Sequence, residues 1–280
     1  KKLFEKELLT EKRILVTGGG SGLGKEMSRH FLKLGAEVVI CGRREHILID
    51  TKNELINETG GQLDYIPLDL RKPEAVESAI DQLFLKNPIN CLVNNAAGNF
   101  LSRTEDLSHR AIDAVLNIVL HGTSYVTLAC GKHWLKRKMA GNVLSIVTTY
   151  AWTGSAYVVP SAMAKAGVLA MTRSLASEWG PRGIRFNAIA PGPFPTKGAW
   201  SRLLPKEGLA KIFETRNPLG RVGKKQELTN LAAYLMADQS AFINGEVITI
   251  DGGEWLKGAG QFNFASMLTE EDWIEIKKKK

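Results

Sequence analysis

Cysteine is scarce in this chain: 280 residues contain three, Cys41, Cys91 and Cys130, each in an apolar stretch and none at C-x-x-C spacing. That excludes a disulfide framework and a thiolate zinc site, and it fits buried free thiols in a reducing compartment. Histidine is scarce as well. His30, His46, His109, His121 and His133 are scattered and form no H-E-x-x-H pair, so no metal site is expected. No apolar run approaches the ~20 residues that cross a bilayer, so no membrane span is expected. The opening Lys1-Lys2-Leu3-Phe4-Glu5-Lys6-Glu7 lacks the apolar core of a signal peptide and carries acids that transit peptides avoid. The expected location is the cytoplasm for a bacterial chain, or the mitochondrial matrix where a presequence has been removed.

With 44% hydrophobic and 24% charged residues, the composition excludes disordered and fibrous classes. No Pro/Ser-rich linker or charge block divides the chain, so one domain over 1–280 is expected. The formal charge of +8 would suit nucleic acid, a membrane surface or a polyanionic small molecule. Apart from Lys132 to Lys138 and Lys277 to Lys280, the basic residues are dispersed and match no nucleic-acid motif; solvated faces, with no nucleic-acid partner, are the expectation.

What the chain does have is Arg13-Ile14-Leu15-Val16-Thr17-Gly18-Gly19-Gly20-Ser21-Gly22-Leu23-Gly24, an apolar β-rich run that breaks into glycines and continues in a helical pattern. Glycines let a backbone turn sharply and let a diphosphate approach, and the helix start offers unpaired N–H groups to the anion. The spacing is G-x-x-x-G-x-G, which departs from the common G-x-G-x-x-G fingerprint. The second predicted strand, Glu37 to Cys41, ends in Gly42-Arg43-Arg44, where an NAD-binding fold places an acid for the ribose 2′-hydroxyl. A guanidinium there suits the 2′-phosphate of NADP.

Strands and helices alternate along the rest. A helix from Ile47 to Thr59 precedes a strand over Gln62 to Leu68, and Asp69-Leu70-Arg71 stands at its carboxyl end; Pro73 opens the next helix. Asn90 to Asn94 reads as a strand breaking into Asn95-Ala96-Ala97-Gly98-Asn99, the region from Ser108 to Lys138 as mostly helical, and Asn142 to Thr148 as a buried strand. A helix from Ser161 to Gly180, a strand from Arg185 to Ala190, the rigid Pro191-Gly192-Pro193, a helix from Glu227 to Ala237 and a strand from Val247 to Ile250 complete the chain. This rhythm predicts an α/β fold, a Rossmann-type doubly wound parallel sheet with helices on both faces and a ligand at the strands' carboxyl ends.

Together, Thr17-Gly18-x-x-x-Gly22-x-Gly24, Asp69, Asn94-Asn95-Ala96-Ala97-Gly98, Pro191-Gly192-Pro193 and Asp251-Gly252-Gly253 give a pattern that resembles the short-chain dehydrogenase/reductase family over nearly the whole chain. That family carries Tyr-x-x-x-Lys before the long helix. Here the segment is Ser161-Ala162-Met163-Ala164-Lys165, lysine kept and tyrosine lost, and Val119 stands where the family has an asparagine three residues before a glycine, here Gly122. At these departures the chain is similar to one branch, the mitochondrial-type 2,4-dienoyl-CoA reductases. The similar segments are Ala96-Ala97-Gly98-Asn99-Phe100, Ser145 to Ala151, Val158 to Lys165, Thr196 to Arg202 and Gly260-Gln261-Phe262-Asn263.

The resemblance implies that Tyr150, eleven residues before Ser161, replaces the missing tyrosine. It implies an acyl-CoA substrate, a homotetramer, and NADPH held by Gly18, Gly20, Ser21, Gly22, Leu23, Arg43, Asp69, Asn95, Ala96, Lys165, Pro191, Gly192 and Phe194. Tyr150 and Asn99 would hydrogen-bond a thioester oxygen while Ser161 and Lys165 hold the nicotinamide ribose. Arg71 and Arg202 would meet the phosphate-bearing part of coenzyme A, with Phe100 and Ser108 along the acyl or pantetheine path. Reduction of a 2-enoyl or 3-oxoacyl thioester, or a nonenzymatic NADP-binding regulator, remains compatible with the motifs, since fold does not fix substrate.

Overall fold

The computed structural model describes residues 3–196 and 209–278. Seven parallel strands, β1 (Arg13–Thr17), β2 (Glu37–Gly42), β3 (Leu63–Pro67), β4 (Cys91–Asn94), β5 (Gly141–Ile146), β6 (Ile184–Pro191) and β7 (Val247–Ile250), form one sheet in the order β3-β2-β1-β4-β5-β6-β7. The order reverses direction between β1 and β4, which opens a crevice at the carboxyl ends of those strands.

The sheet's alternation sends side chains to two faces. Ile14, Val16, Val38, Ile40, Val93 and Leu144 point to one core. Helices α1 (Gly22–Lys33) and α2 (Glu45–Thr59) cover it with Met27, Phe31, Leu48 and Leu55. Leu15, Val39, Leu92, Val143 and Phe186 point to the other. There α3 (Pro73–Lys86) contributes Val76, Ile80 and Phe84. A period of two on strands buried from both sides is what a parallel sheet between helix layers requires.

The predicted helical region between 108 and 138 consists of α4 (His109–Leu116), a π-helical turn (Asn117–His121) and α5 (Gly122–Arg137). The run from His109 to Arg137 is long and apolar enough to cross a membrane by length and composition alone, and half of its apolar window is buried inside the protein. After β5 comes a four-residue helix, α6 (Tyr150–Thr153), and then α7 (Val159–Trp179), which begins two residues earlier than its sequence pattern suggested, with Pro160 in its first turn. The chain continues through α8 (Leu209–Arg216), α9 (Lys225–Met236), α10 (Glu254–Ala259) and α11 (Glu270–Lys278). Cys41, Cys91 and Cys130 are buried free thiols, and burial pushes the first two up to about 12.

Candidate active site

The glycine loop is built around Thr17, buried at the end of β1. Its hydroxyl accepts the backbone N–H groups of Asn95 and Ala96, both at 3.0 Å, and donates to the Val93 carbonyl at 3.3 Å. The Asn95 amide in turn donates to the Thr17 carbonyl at 3.0 Å. The loops after β1 and β4 are thereby joined into one floor.

Gly18 and Gly22 adopt φ of +65° and +55°, values that favour glycine. A Cβ on Gly24 would stand 2.5 Å from the Gly18 carbonyl oxygen, so α1 starts as close to the loop as backbones allow. Exposed Ser21 caps α1 with its backbone while its hydroxyl makes no cap bond, and no acid lies in the first turn. The helix start is open to an anion. Leu23 turns its side chain into the core, which leaves its backbone N–H as the group a ligand would meet. Arg43, exposed after β2, makes no hydrogen bond among the described residues and lies close enough to Asp69 to stabilise its charge.

Asp69 and Arg71, assigned to different ligands from the sequence, are partners. The Arg71 guanidinium grips both carboxylate oxygens, Nε at 2.9 Å and Nη2 at 2.5 Å, and holds the Asp69 carboxyl below its usual range.

The candidate chemical centre is the cluster at the end of β5. Tyr150 opens α6, and its hydroxyl is 3.0 Å from Oγ of Ser161, which is buried on α7. Lys165, one turn further along α7 and only 6% exposed, donates from Nζ to the carbonyl of Ile146, the last residue of β5. Burial, which strips the ammonium of water, pushes it down to about 8. Asn99, in the loop after β4, accepts the Phe100 N–H on Oδ1 at 2.9 Å, which leaves its amide hydrogens for a ligand. Phe100 packs beside Val115, Val119 and Ala164, and Val119 is buried, so the place of the family's asparagine is filled by core.

Other sequence candidates resolve differently. Ser108 is exposed and caps α4, its hydroxyl accepting the Ala111 N–H at 3.2 Å. Phe194 belongs to the core rather than the crevice, so only its backbone could serve a cofactor. Pro191 ends β6, and the Gly192 N–H donates to the Ile250 carbonyl at 3.0 Å. A Cβ on Gly192 would stand 2.6 Å from that of Asp251, which brings the β6 and β7 ends together. Arg202 lies outside the described residues. Two features escaped the sequence reading. Thr148, two residues before Tyr150, has a buried hydroxyl without a partner among the described residues; the π-helical turn at 117–121 has no compositional signature. The described residues contain no group of three or more metal-ligating side chains.

A loop of positive-φ glycines, an open helix start, a cation after β2 and a buried lysine one helical turn from the serine that meets Tyr150 fit a nucleotide-dependent oxidoreductase of the doubly wound class. The family model described as "Enoyl-(Acyl carrier protein) reductase" matches residues 18–254. The chain belongs to the short-chain dehydrogenase/reductase family. It is 42% identical over 275 residues to the (3E)-enoyl-CoA-producing "Probable 2,4-dienoyl-CoA reductase 3" of Caenorhabditis elegans, covering 96% of this chain and 89% of that one. It is also 42% identical over 250 residues to the (2E)-enoyl-CoA-producing "Probable 2,4-dienoyl-CoA reductase" of Bacillus subtilis, covering 89% and 98%. The crystal structure of a short chain dehydrogenase from Bacillus anthracis superposes with a TM-score of 0.82 at 45% identity, covering 88% of this chain and 97% of the other.

Proposed function

We propose that this protein reduces 2,4-dienoyl-CoA to 3-enoyl-CoA with NADPH, as a step in the β-oxidation of unsaturated fatty acids. The observation that carries the reading is the 3.0 Å pair of Tyr150 and Ser161, which places a phenol at the end of β5 where the long helix itself offers only a serine.

The residues present fit the cofactor. The backbone of Gly18 to Leu23 suits a diphosphate, Arg43 a 2′-phosphate, and Lys165 a ribose; the Thr148 hydroxyl, without a partner among the described residues, and the Lys165 ammonium, bonded to the Ile146 carbonyl, have donors to spare for a bound ligand. Bound NADPH supplies a hydride, taken up at C5 of the diene. Conjugate reduction sends negative charge to the thioester oxygen, several bonds from C5, so the stabilising donors must stand there. The Tyr150 hydroxyl and the Asn99 amide hydrogens are suited to that oxygen, and fixed donors of this kind commonly supply the largest catalytic contribution. Ser161 orients the Tyr150 hydroxyl, and the Lys165 cation favours the anion through the low-dielectric interior. A proton from solvent added at C2 of the dienolate, while Tyr150 and Asn99 hold the thioester oxygen, then gives the 3-enoyl thioester.

Multiple-turnover NADPH consumption with sorbyl-CoA, crotonyl-CoA and acetoacetyl-CoA tests the reading. Rapid turnover of sorbyl-CoA alone is expected, with 3-hexenoyl-CoA as product; preference for either other thioester would replace it, and turnover of none would favour a nonenzymatic regulator. We further propose a homotetramer, supported by the half-buried edge strand β7 and the fully exposed Phe242; light scattering on the purified protein would give four chains.

A further inference from the structure

Two tryptophans stand outside every role assigned so far. Trp152 lies on α6, two residues after Tyr150, and is 39% exposed; Trp255 lies on α10 and is partly buried. Their rings meet edge to face, with centroids 5.9 Å apart and planes at 85°. They come from the ends of β5 and β7, the two neighbours of β6, so the pair spans the carboxyl end of β6. Neither indole N–H has a hydrogen-bond partner among the described residues.

The pair is held in place. Asp251 accepts the N–H groups of Gly253 and Trp255 at 2.9 and 3.0 Å, fixing the start of α10, and its backbone lies against Gly192. Trp152 is fixed by the short helix that also carries Tyr150. A partly exposed aromatic pair at the ligand-bearing edge of a parallel sheet presents apolar surface where a ligand passes.

With its thioester oxygen between Asn99 after β4 and Tyr150 after β5, an acyl chain that runs on past Tyr150 would meet Trp152, two residues away on the same short helix, and Trp255 stacked edge to face against it. We propose that Trp152 and Trp255 form the wall that receives the aliphatic tail beyond the reacting carbons and so give this protein a preference for longer dienoyl chains. This rests on the dienoyl-CoA reading of the site.

The test compares sorbyl-CoA, with six acyl carbons, and 2,4-decadienoyl-CoA, with ten, in wild type, Trp152→Ala, Trp255→Ala and Trp255→Phe. The kcat/KM ratio of the ten-carbon to the six-carbon substrate is expected to fall roughly 10-fold in either alanine variant, mainly through KM, since each buried methylene contributes a few-fold in binding. Trp255→Phe should recover most of it. Calorimetry with decanoyl-CoA and hexanoyl-CoA should show the same selective loss, and NADPH affinity checks that each variant is folded. An unchanged ratio, or equal losses on both chain lengths, overturns the wall, and a change in oligomeric state with such equal losses assigns the pair to a subunit contact. A wild type inactive on both dienoyl thioesters would instead contradict the functional reading itself.

Discussion

The site turns on two cations in opposite surroundings. Arg43 is exposed and unpaired among the described residues, so its charge is available to a 2′-phosphate. Arg43→Ala should lower kcat/KM for NADPH by roughly 10-fold while leaving NADH little changed, since a charge-assisted contact is typically worth ~1.5–3 kcal/mol; steady-state kinetics with both cofactors would show it. Lys165 is buried, and its ammonium is pushed down to about 8 from 10.5. Below pH 8 the folded protein carries a poorly solvated cation, whereas between about 8 and 10.5 the unfolded chain binds the extra proton, so this contribution to stability rises with pH. The cost at neutral pH is on the order of 3 kcal/mol. Lys165→Met should therefore raise Tm more at pH 7 than at pH 10 in calorimetry. The cofactor sees the reverse trend. NADPH affinity, followed by fluorescence, should fall as pH rises through about 8 in wild type and stay flat over that range in Lys165→Met.

Among the elements, those legible in sequence were set by periodicity and punctuation. The burial alternation of Ile14, Leu15 and Val16, the Gly35 turn after α1 and Pro73 at the start of α3 each follow from local chemistry, and the observed elements differ from the expected ones by one or two residues. The sequence reading assigned no helix to Leu209–Arg216, Glu254–Ala259 or Glu270–Lys278, and it also missed two elements whose causes are tertiary. Helix α6 is four residues long, too short to be set by periodicity, and its Tyr150 meets Ser161, a contact across eleven residues. The π-helical turn stands where a Cβ on Gly122 would lie 2.8 Å from that of Leu70, so packing against the β3 end shapes it. The Asp69–Arg71 grip also depends on how one loop closes, and no spacing rule separates it from two independent ligand contacts. The start of α1 gives the sharpest test at this scale. In Gly24→Ala the new methyl meets the Gly18 carbonyl, so a loss of about 1–3 kcal/mol of stability is expected, with weakened NADPH binding. Denaturant unfolding and a cofactor titration would check both, and an unaltered midpoint would show that the loop has slack.

Across the whole molecule, the strand order separates two tasks. The β1–β2–β3 side carries the glycine loop, Arg43 and the Asp69–Arg71 pair; the β4–β5–β6 side carries Asn99, Tyr150, Ser161 and Lys165. In the proposed reaction a dinucleotide laid across the crevice would link them, with the donor displaced from the carbon that takes the hydride. That displacement is the central claim. Its most direct measurement is single-turnover stopped-flow reduction of sorbyl-CoA by NADPH-loaded wild type, Tyr150→Phe and the double variant Tyr150→Phe/Ser161→Tyr, with NADPH affinity determined separately. The expected result is a loss of roughly 10²–10³ in the chemical step for Tyr150→Phe at unchanged NADPH affinity, with no recovery in the double variant. Near wild-type reduction by Tyr150→Phe would contradict the relocated donor and leave Tyr150 as a wall of the pocket.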